Sequence, residues 1–352
     1  PGLLVAAALS DVYGRKPMTL TGLVSSALGN FIILLGPTSI NMLYIGRFFA
    51  GLAVGIGMSV GTSWIKELSS RDWDPKATSG AGARRPSLTM TLGFGMGAAV
   101  TGALAQWAPA PTLTPFVVTV SLLVLTLIPT AFAPETVGTS ARQLTPQKSW
   151  VGQLRTPSAR HPDFLIKVAT AAPWVFGAGG IAYGLMPQLL ADATGDYTTI
   201  YATTMAVLTL GVGAFIQPFA QRLDRRLNGR GLPIGLGIVV IGILLATLAA
   251  YHDGPITGLI CAVVLGLGYG TVLVTGLTRV QMIAPPQDLA GLTGIFYALT
   301  YVGFLFPTVI AALLPIMPYT IALLIFAGLA TVSMIIAFGR IRFVRGPWGK
   351  RG

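Results

Sequence analysis

Cysteine, histidine and acidic side chains are scarce in this chain, and each scarcity removes a class of chemistry. Cys261 is the single cysteine, so the chain can neither close an internal disulfide nor hold a metal through clustered thiolates. His161 and His252 stand alone in separate polar segments, which leaves no metal site and implies no bound metal or cofactor. There is no glycine-rich loop ending in Lys-Ser/Thr, so this chain by itself does not drive transport with ATP. None of the 11 Asp and Glu residues falls inside a long apolar run. Without a carboxylate pair, histidine cluster or Ser–His arrangement in any run, the sequence does not read as a membrane-embedded enzyme. Charged residues are 10% of the chain, against roughly 25% in a soluble domain.

What the chain has in abundance is apolar length. Its composition is 53% hydrophobic with a mean hydropathy of +0.74. Ten runs stand out: 18–36, 40–65, 87–108, 113–133, 168–191, 197–219, 233–251, 256–278, 289–314 and 319–338. Each is about long enough to cross ~30 Å of hydrocarbon at about 1.5 Å per residue. Only the second carries an ionised residue, Arg47.

The cations lie in alternate gaps. Of 23 Lys and Arg residues, 22 fall in the gaps on the side that holds Arg15 and Lys16, and none in the intervening gaps. The positive-inside bias puts that side, and both ends of this chain, in the cytoplasm. Asp192, Asp196 and Asp253 fall on the other side, with the same polarity. A net charge of +12 and a pI of 10.2 would suggest nucleic acid in a soluble protein, but here the cations are spread over short segments. They read as topology signals that touch anionic lipid headgroups.

Residues 134–167, rich in Pro, Ser, Thr and cations, read as a cytoplasmic linker. It divides an incomplete N-terminal bundle, 1–133, from a C-terminal six-helix bundle, 168–338, and residues 339–352 form a basic cytoplasmic tail. The first ten residues are apolar but span only ~15 Å as a helix. The expected fold is therefore all-α and membrane-integral, with ten full transmembrane helices plus half of another. The first helix and part of the second are expected to precede Pro1. An internal repeat supports two halves: Leu9 to Lys16 stands before the first full run, and Phe219 to Arg226 before the seventh, each ending in paired cations.

These features resemble the major facilitator superfamily. Ala7-Ala8-Leu9-Ser10-Asp11-Val12-Tyr13-Gly14-Arg15-Lys16 is similar to its signature Gly-x-Leu-Ala-Asp-Arg-x-Gly-Arg-Lys, with the first Gly and first Arg replaced. The second copy keeps Arg225 and Arg226, with Gln221 and Asp224 at the Asp and Gly positions. Arg47 to Gly51 matches Arg-x-x-x-Gly of the family's fourth helix. Gly93 to Gly102 partly matches the fifth-helix signature, with Ala98 where antiporters carry Pro. Pro134-Glu135-Thr136 resembles the Pro-Glu-Thr/Ser that ends the sixth helix.

The resemblance implies a conformational latch at Asp11, Gly14, Arg15, Lys16, Arg225 and Arg226. Physically, Asp11 can accept hydrogen bonds at a neighbouring helix N-terminus, and Arg15 is expected to pair with Glu67. Arg47, about 10 Å inside its run, is too costly there to face lipid, and the resemblance ties it, with Gly51, to the coupling path. Candidate cavity groups are Trp174, Tyr183, Gln188, Tyr269, Tyr297 and Tyr301. Pro173 and its neighbouring glycines make the fifth run, 168–191, the one expected to bend.

The expected function is secondary transport of a small organic solute by alternating access, as proton-coupled efflux. The alternatives are proton-coupled uptake, or a truncated copy or sensor that does not transport. The expected partners are a small-molecule substrate, a proton or other coupling ion and membrane lipids, without nucleic acid, around a monomer in the cell's inner (plasma) membrane. Topology is the directly testable part. A reporter active only in the cytoplasm should work when fused after Arg85, Lys148 or Arg230 and fail after Gly195 or Gly254. The opposite pattern reverses the orientation.

Overall fold

The computed structural model describes residues 2–36, 38–77, 81–136, 156–285 and 289–339. Most of the expected linker, 137–155, and the basic tail from 340 lie outside the described residues. Among the described residues all regular structure is helical. This follows from the solvent, because in hydrocarbon every backbone N–H and C=O must be paired within its own segment.

Eleven elements run in order. A short α1 (Gly2–Tyr13) is followed by α2 (Arg15–Leu35), α3 (Ile40–Leu68), α4 (Ala81–Trp107) and α5 (Thr114–Phe132). Then come α6 (Phe164–Leu189), α7 (Thr198–Arg226), α8 (Gly231–Tyr251), α9 (Pro255–Ile283), α10 (Gly291–Leu313) and α11 (Tyr319–Phe338). Every expected run is helical. Nine stretches among the described residues are long and apolar enough to cross a membrane. The remaining expected span is the 27-residue α4, which is helical along its whole length. Several helices overrun their apolar stretches at the basic end: α7 continues to Arg226 and α9 to Ile283. Hydropathy reads only the part in hydrocarbon, whereas the helix continues into the polar layer.

The second half is densely packed: α8 and α9 lie side by side, α7 packs on α9, α11 on α8, and α6 on α9 and α10. The first half pairs α2 with α3 and α5, and α4 with the basic end of α3. Its buried apolar cluster is small, Ala6, Ile56 and Val60. The halves meet chiefly where α4 lies along α7.

Small residues set the crossings, as packing without a hydrophobic drive between helices requires. Gly29 of α2 faces the Gly46 carbonyl of α3, and Gly270 of α9 faces the Gly213 carbonyl of α7. The Pro/Gly-rich helix expected to bend does depart from regularity. Pro173 restarts α6, and π turns occupy Phe164–Val168 and Gly180–Leu185. Its partner α10 breaks at the same level through a tight turn at Gly303–Leu305. There a Cβ on Gly303 would enter the Pro173 carbonyl and the Gly177 amide, so two interrupted helices touch backbone to backbone.

Gly303→Ala should therefore destabilise the protein by about 1–3 kcal/mol, the usual range for overpacking. Gly328→Ala, where the added methyl meets nothing within 4 Å, should leave the thermal midpoint in detergent unchanged. Equal midpoints for both variants would remove the close contact from the account.

Candidate functional site

At the basic end of the first half, the α1–α2 turn is held by two carboxylates, Glu67 near the end of α3 and Glu135 just past the end of α5. Gly14 turns the chain at φ 108°, and α2 starts at Arg15. The first N–H groups of a helix have no partner within it. Here the backbone amides of Arg15 and Lys16 donate to the two oxygens of Glu135, each at 3.0 Å. The negative charge also suits the positive end of the helix dipole. The Arg15 guanidinium donates to Glu67 at 3.0 and 3.1 Å and to the Ser10 hydroxyl. The Thr136 hydroxyl donates to Glu67 as well, and the Trp64 indole N–H donates to the Pro134 carbonyl at 3.1 Å.

The expected Arg15–Glu67 pair thus forms, with Arg15 14% and Glu67 34% exposed. Sequence reasoning missed Glu135 and Thr136 as members of the cluster. The available signal was a lone acid directly after a span on the basic side. Lys16 enters the cluster through its backbone amide. The Asp11 side chain lies outside the described residues. In the following loop, the Arg85 guanidinium hydrogen-bonded to Asp74 at 2.8 Å holds that carboxyl below its ordinary pKa.

The second half repeats the device with one carboxylate. Asp224 accepts from the Gly231 amide at the start of α8 at 2.8 Å and from Arg279 of α9 at 3.1 Å. Both side chains are buried, and Arg279 also donates to the Gly229 carbonyl. This corrects the expected register. Arg225 and Arg226 are exposed, and the buried group of the segment is Asp224. The turn is longer than in the first copy, with Asn228 and Gly229 at φ 49° and 84°. Gly229, rather than Asp224, therefore stands where Gly14 does.

Between the halves lies a cavity of about 250 Å³. The first half contributes Met58 of α3 with Met90 and Phe94 of α4. The second contributes Phe176 of α6, Gln217 of α7, Tyr269 of α9, Tyr297 of α10 and four aliphatic residues. Among the described residues that line it, none is Asp, Glu, Lys, Arg or His. Phe176 is the centre of an aromatic group, stacked on Phe304 at 4.8 Å and on Tyr269 at 6.3 Å, and tilted against Tyr301 at 5.1 Å. The Tyr301 hydroxyl donates to the Met58 sulfur at 3.0 Å. Tyr183 packs its ring against Gly179 of its own helix. A larger groove of about 550 Å³ lies over the Asp224–Arg279 pair at the helix ends, outside the passage between the halves.

Three of the expected cavity residues thus gather: Tyr269 and Tyr297 line the cavity, and Tyr301 adjoins it through Phe176. Half-buried Tyr183 is not among the described lining residues, and two more lie elsewhere. Trp174 is 4% exposed, donates to Ser333 at 3.0 Å and packs edge-on against Phe306 and Phe326. It faces the core of the second half because its helix turns that side toward α10 and α11. Gln188 is exposed and donates to the Gly184 carbonyl of its own helix at 2.9 Å. Arg47 and Gly51 are exposed and lie outside the cavity lining. Among the described residues, no group of His, Cys, Asp and Glu could hold a metal.

At the end opposite the basic face, α4 and α7 are clamped by one side chain. Gln106 donates to the Asp196 carbonyl at 3.2 Å and accepts from the Ile200 amide at 3.0 Å, and Gly102 packs directly on Thr203. Met90 and Gln217 lie further toward the basic ends of these two helices, so the cavity sits on the basic side of the clamp.

Solved structures with this architecture include the E. coli fucose:proton symporter FucP. It aligns with a TM-score of 0.59 and 17% identity over 95% of this chain and 86% of that one. The human organic anion transporter MFSD10 aligns with a TM-score of 0.57 and 17% identity, over 95% and 80%. At such identities the likeness is one of fold. An uncharacterized transporter of Rickettsia bellii (strain RML369-C) is 33% identical over 66 residues, which span 19% of this chain and 16% of that protein. Residues 1–248 match the family described as Major Facilitator Superfamily. The chain belongs to the Major Facilitator Superfamily, the membrane-transporter family to which its helices, paired halves and basic-end turn had pointed.

Proposed function

We propose that the chain exports a small organic solute by alternating access, in exchange for protons, with the cavity between the halves as its binding site. The observation that carries this reading is the cavity itself: both halves line it, and the clamp beyond it holds one end shut. Apolar and aromatic walls with a few convergent polar groups are the ordinary make-up of a small-molecule site. In this reading the bundles 1–133 and 168–338 rock about the cavity, joined by the linker 134–167. The monomer is the working unit, because one chain supplies both walls. The basic side is cytoplasmic, on the 22-to-0 distribution of cations, so the described state binds solute from the cytoplasm. Nucleic acid has no part in the cycle.

The charge cluster of Gly14, Arg15, Lys16, Glu67 and Glu135 serves as a latch, and Asp11 belongs to it. Asp224 with Arg279 serves the same end in the second half, flanked by Arg225 and Arg226 at the headgroups. Arg47 supplies the fixed cation to which coupling responds, since a charge at that depth acts on any carboxyl or solute brought near it.

An efflux-deficient host expressing the full-length gene should accumulate less of at least one amphipathic solute from a broad panel, and a protonophore should abolish the difference. Equal accumulation across the panel would sink the export reading. For the latch, a double-mutant cycle with Arg15→Ala and Glu67→Ala should give a coupling energy of about 0.5–3 kcal/mol, read from thermal stability, with a matching loss of transport rate in each single variant. Additive effects and unchanged rates would show a pair without a role.

A further inference from the structure

Three polar groups converge on the cavity, and none is used by the protein. The Gln217 amide and the Tyr269 and Tyr297 hydroxyls line it, and none of the three makes a hydrogen bond to a described residue. No fully buried side-chain nitrogen or oxygen among the described residues goes without a partner, so these unpaired groups face open space. A Gln side chain brings one acceptor and two donors, and here they remain accessible to whatever occupies the cavity. The residue after it strengthens the point. Pro218 lies inside α7 and has no N–H to offer the Ala214 carbonyl four residues back, and Ala214 also lines the cavity.

We infer that Gln217 is the specificity-determining residue of this cavity and that the solute is an uncharged aromatic carboxamide or lactam. The inference rests on the cavity being the transport site. A Gln side chain pairs with an adjacent C=O and N–H through two parallel hydrogen bonds, as it does with the edge of a base. The Phe94 and Phe176 rings and the sulfurs of Met58 and Met90, all of which line the cavity, fit the flat apolar body. Charged solutes are disfavoured because no described lining residue could neutralise them, and an unpaired charge is not moved out of water into such a site. Sugars are disfavoured because three polar groups among the eleven described lining residues cannot pair a ring of hydroxyls. The cavity volume, just below the usual range for ligand pockets, suits one or two rings.

The test uses the full-length protein in nanodiscs and four matched probes: benzamide, benzoate, benzylamine and methyl benzoate, titrated calorimetrically. Benzamide should bind about tenfold more tightly than either charged analogue. Gln217→Leu should weaken benzamide about tenfold while changing methyl benzoate, which offers no N–H, about twofold or less. Benzoate or benzylamine binding as tightly as benzamide overturns the inference, as does equal weakening of both neutral probes or no binding of any probe. The charge comparison needs only the unchanged protein, so it stands if Gln217→Leu fails to fold. Counterflow in proteoliposomes separates the two readings. Gln217-dependent binding without movement of benzamide would keep the site and sink transport through it, whereas movement of only charged solutes would keep transport and sink the inference.

Discussion

The absence of water from the hydrocarbon layer is the constraint on which the rest of this molecule depends. It leaves helices as the available backbone form. It also weakens the apolar drive between helices, so contact must come from close approach, and the crossings fall at Gly29, Gly270 and Gly303. Finally it sorts polarity by depth. Ion pairs gather at the basic end, where Arg15–Glu67 and Arg279–Asp224 lie. Deeper in, Arg47 apart, the polar groups that hold helices together are neutral: Ser25 on the Phe49 carbonyl, Thr209 on the Ala262 carbonyl, and Trp174 on Ser333.

The two halves solve one problem with different numbers of parts. A helix starting at the basic face exposes its first amides, and an arginine nearby needs a counter-charge. In the first half these tasks are divided, Glu135 taking the amides and Glu67 the guanidinium. In the second half Asp224 does both. A divided arrangement draws α1, α2, α3 and the end of α5 to one point. The single-carboxylate version draws together only α7, α8 and α9.

The sequence was most legible where one physical variable dominates. Apolar length against bilayer thickness located the helices of every expected run, and cation counting located the described α1–α2 and α7–α8 turns at the basic face. The Arg15–Glu67 pair was legible because few acids were available to choose from. What could not be read is what depends on rotation about a helix axis. Trp174 and Tyr269 look alike as aromatics in spans, yet one faces a bundle core and the other the cavity. Asp224 was hidden by a longer turn, which moved the repeat out of register. Helix ends past the apolar runs were missed because the reading measured hydrocarbon and the helix does not stop there.

The Gln106 clamp has a consequence for how the two ends of the passage respond to their surroundings. It is built from a neutral amide and two backbone groups, none of which titrates in the physiological range, and ions screen it weakly. The carboxylates and guanidiniums at the basic end instead fasten helices within each half, and their attraction weakens with salt. The contact between the halves is thus the salt-insensitive one, and the fastenings inside each half are the responsive ones. A change in ionic strength acts on the basic helix ends of each bundle and leaves the Gln106 contact between the bundles as it was.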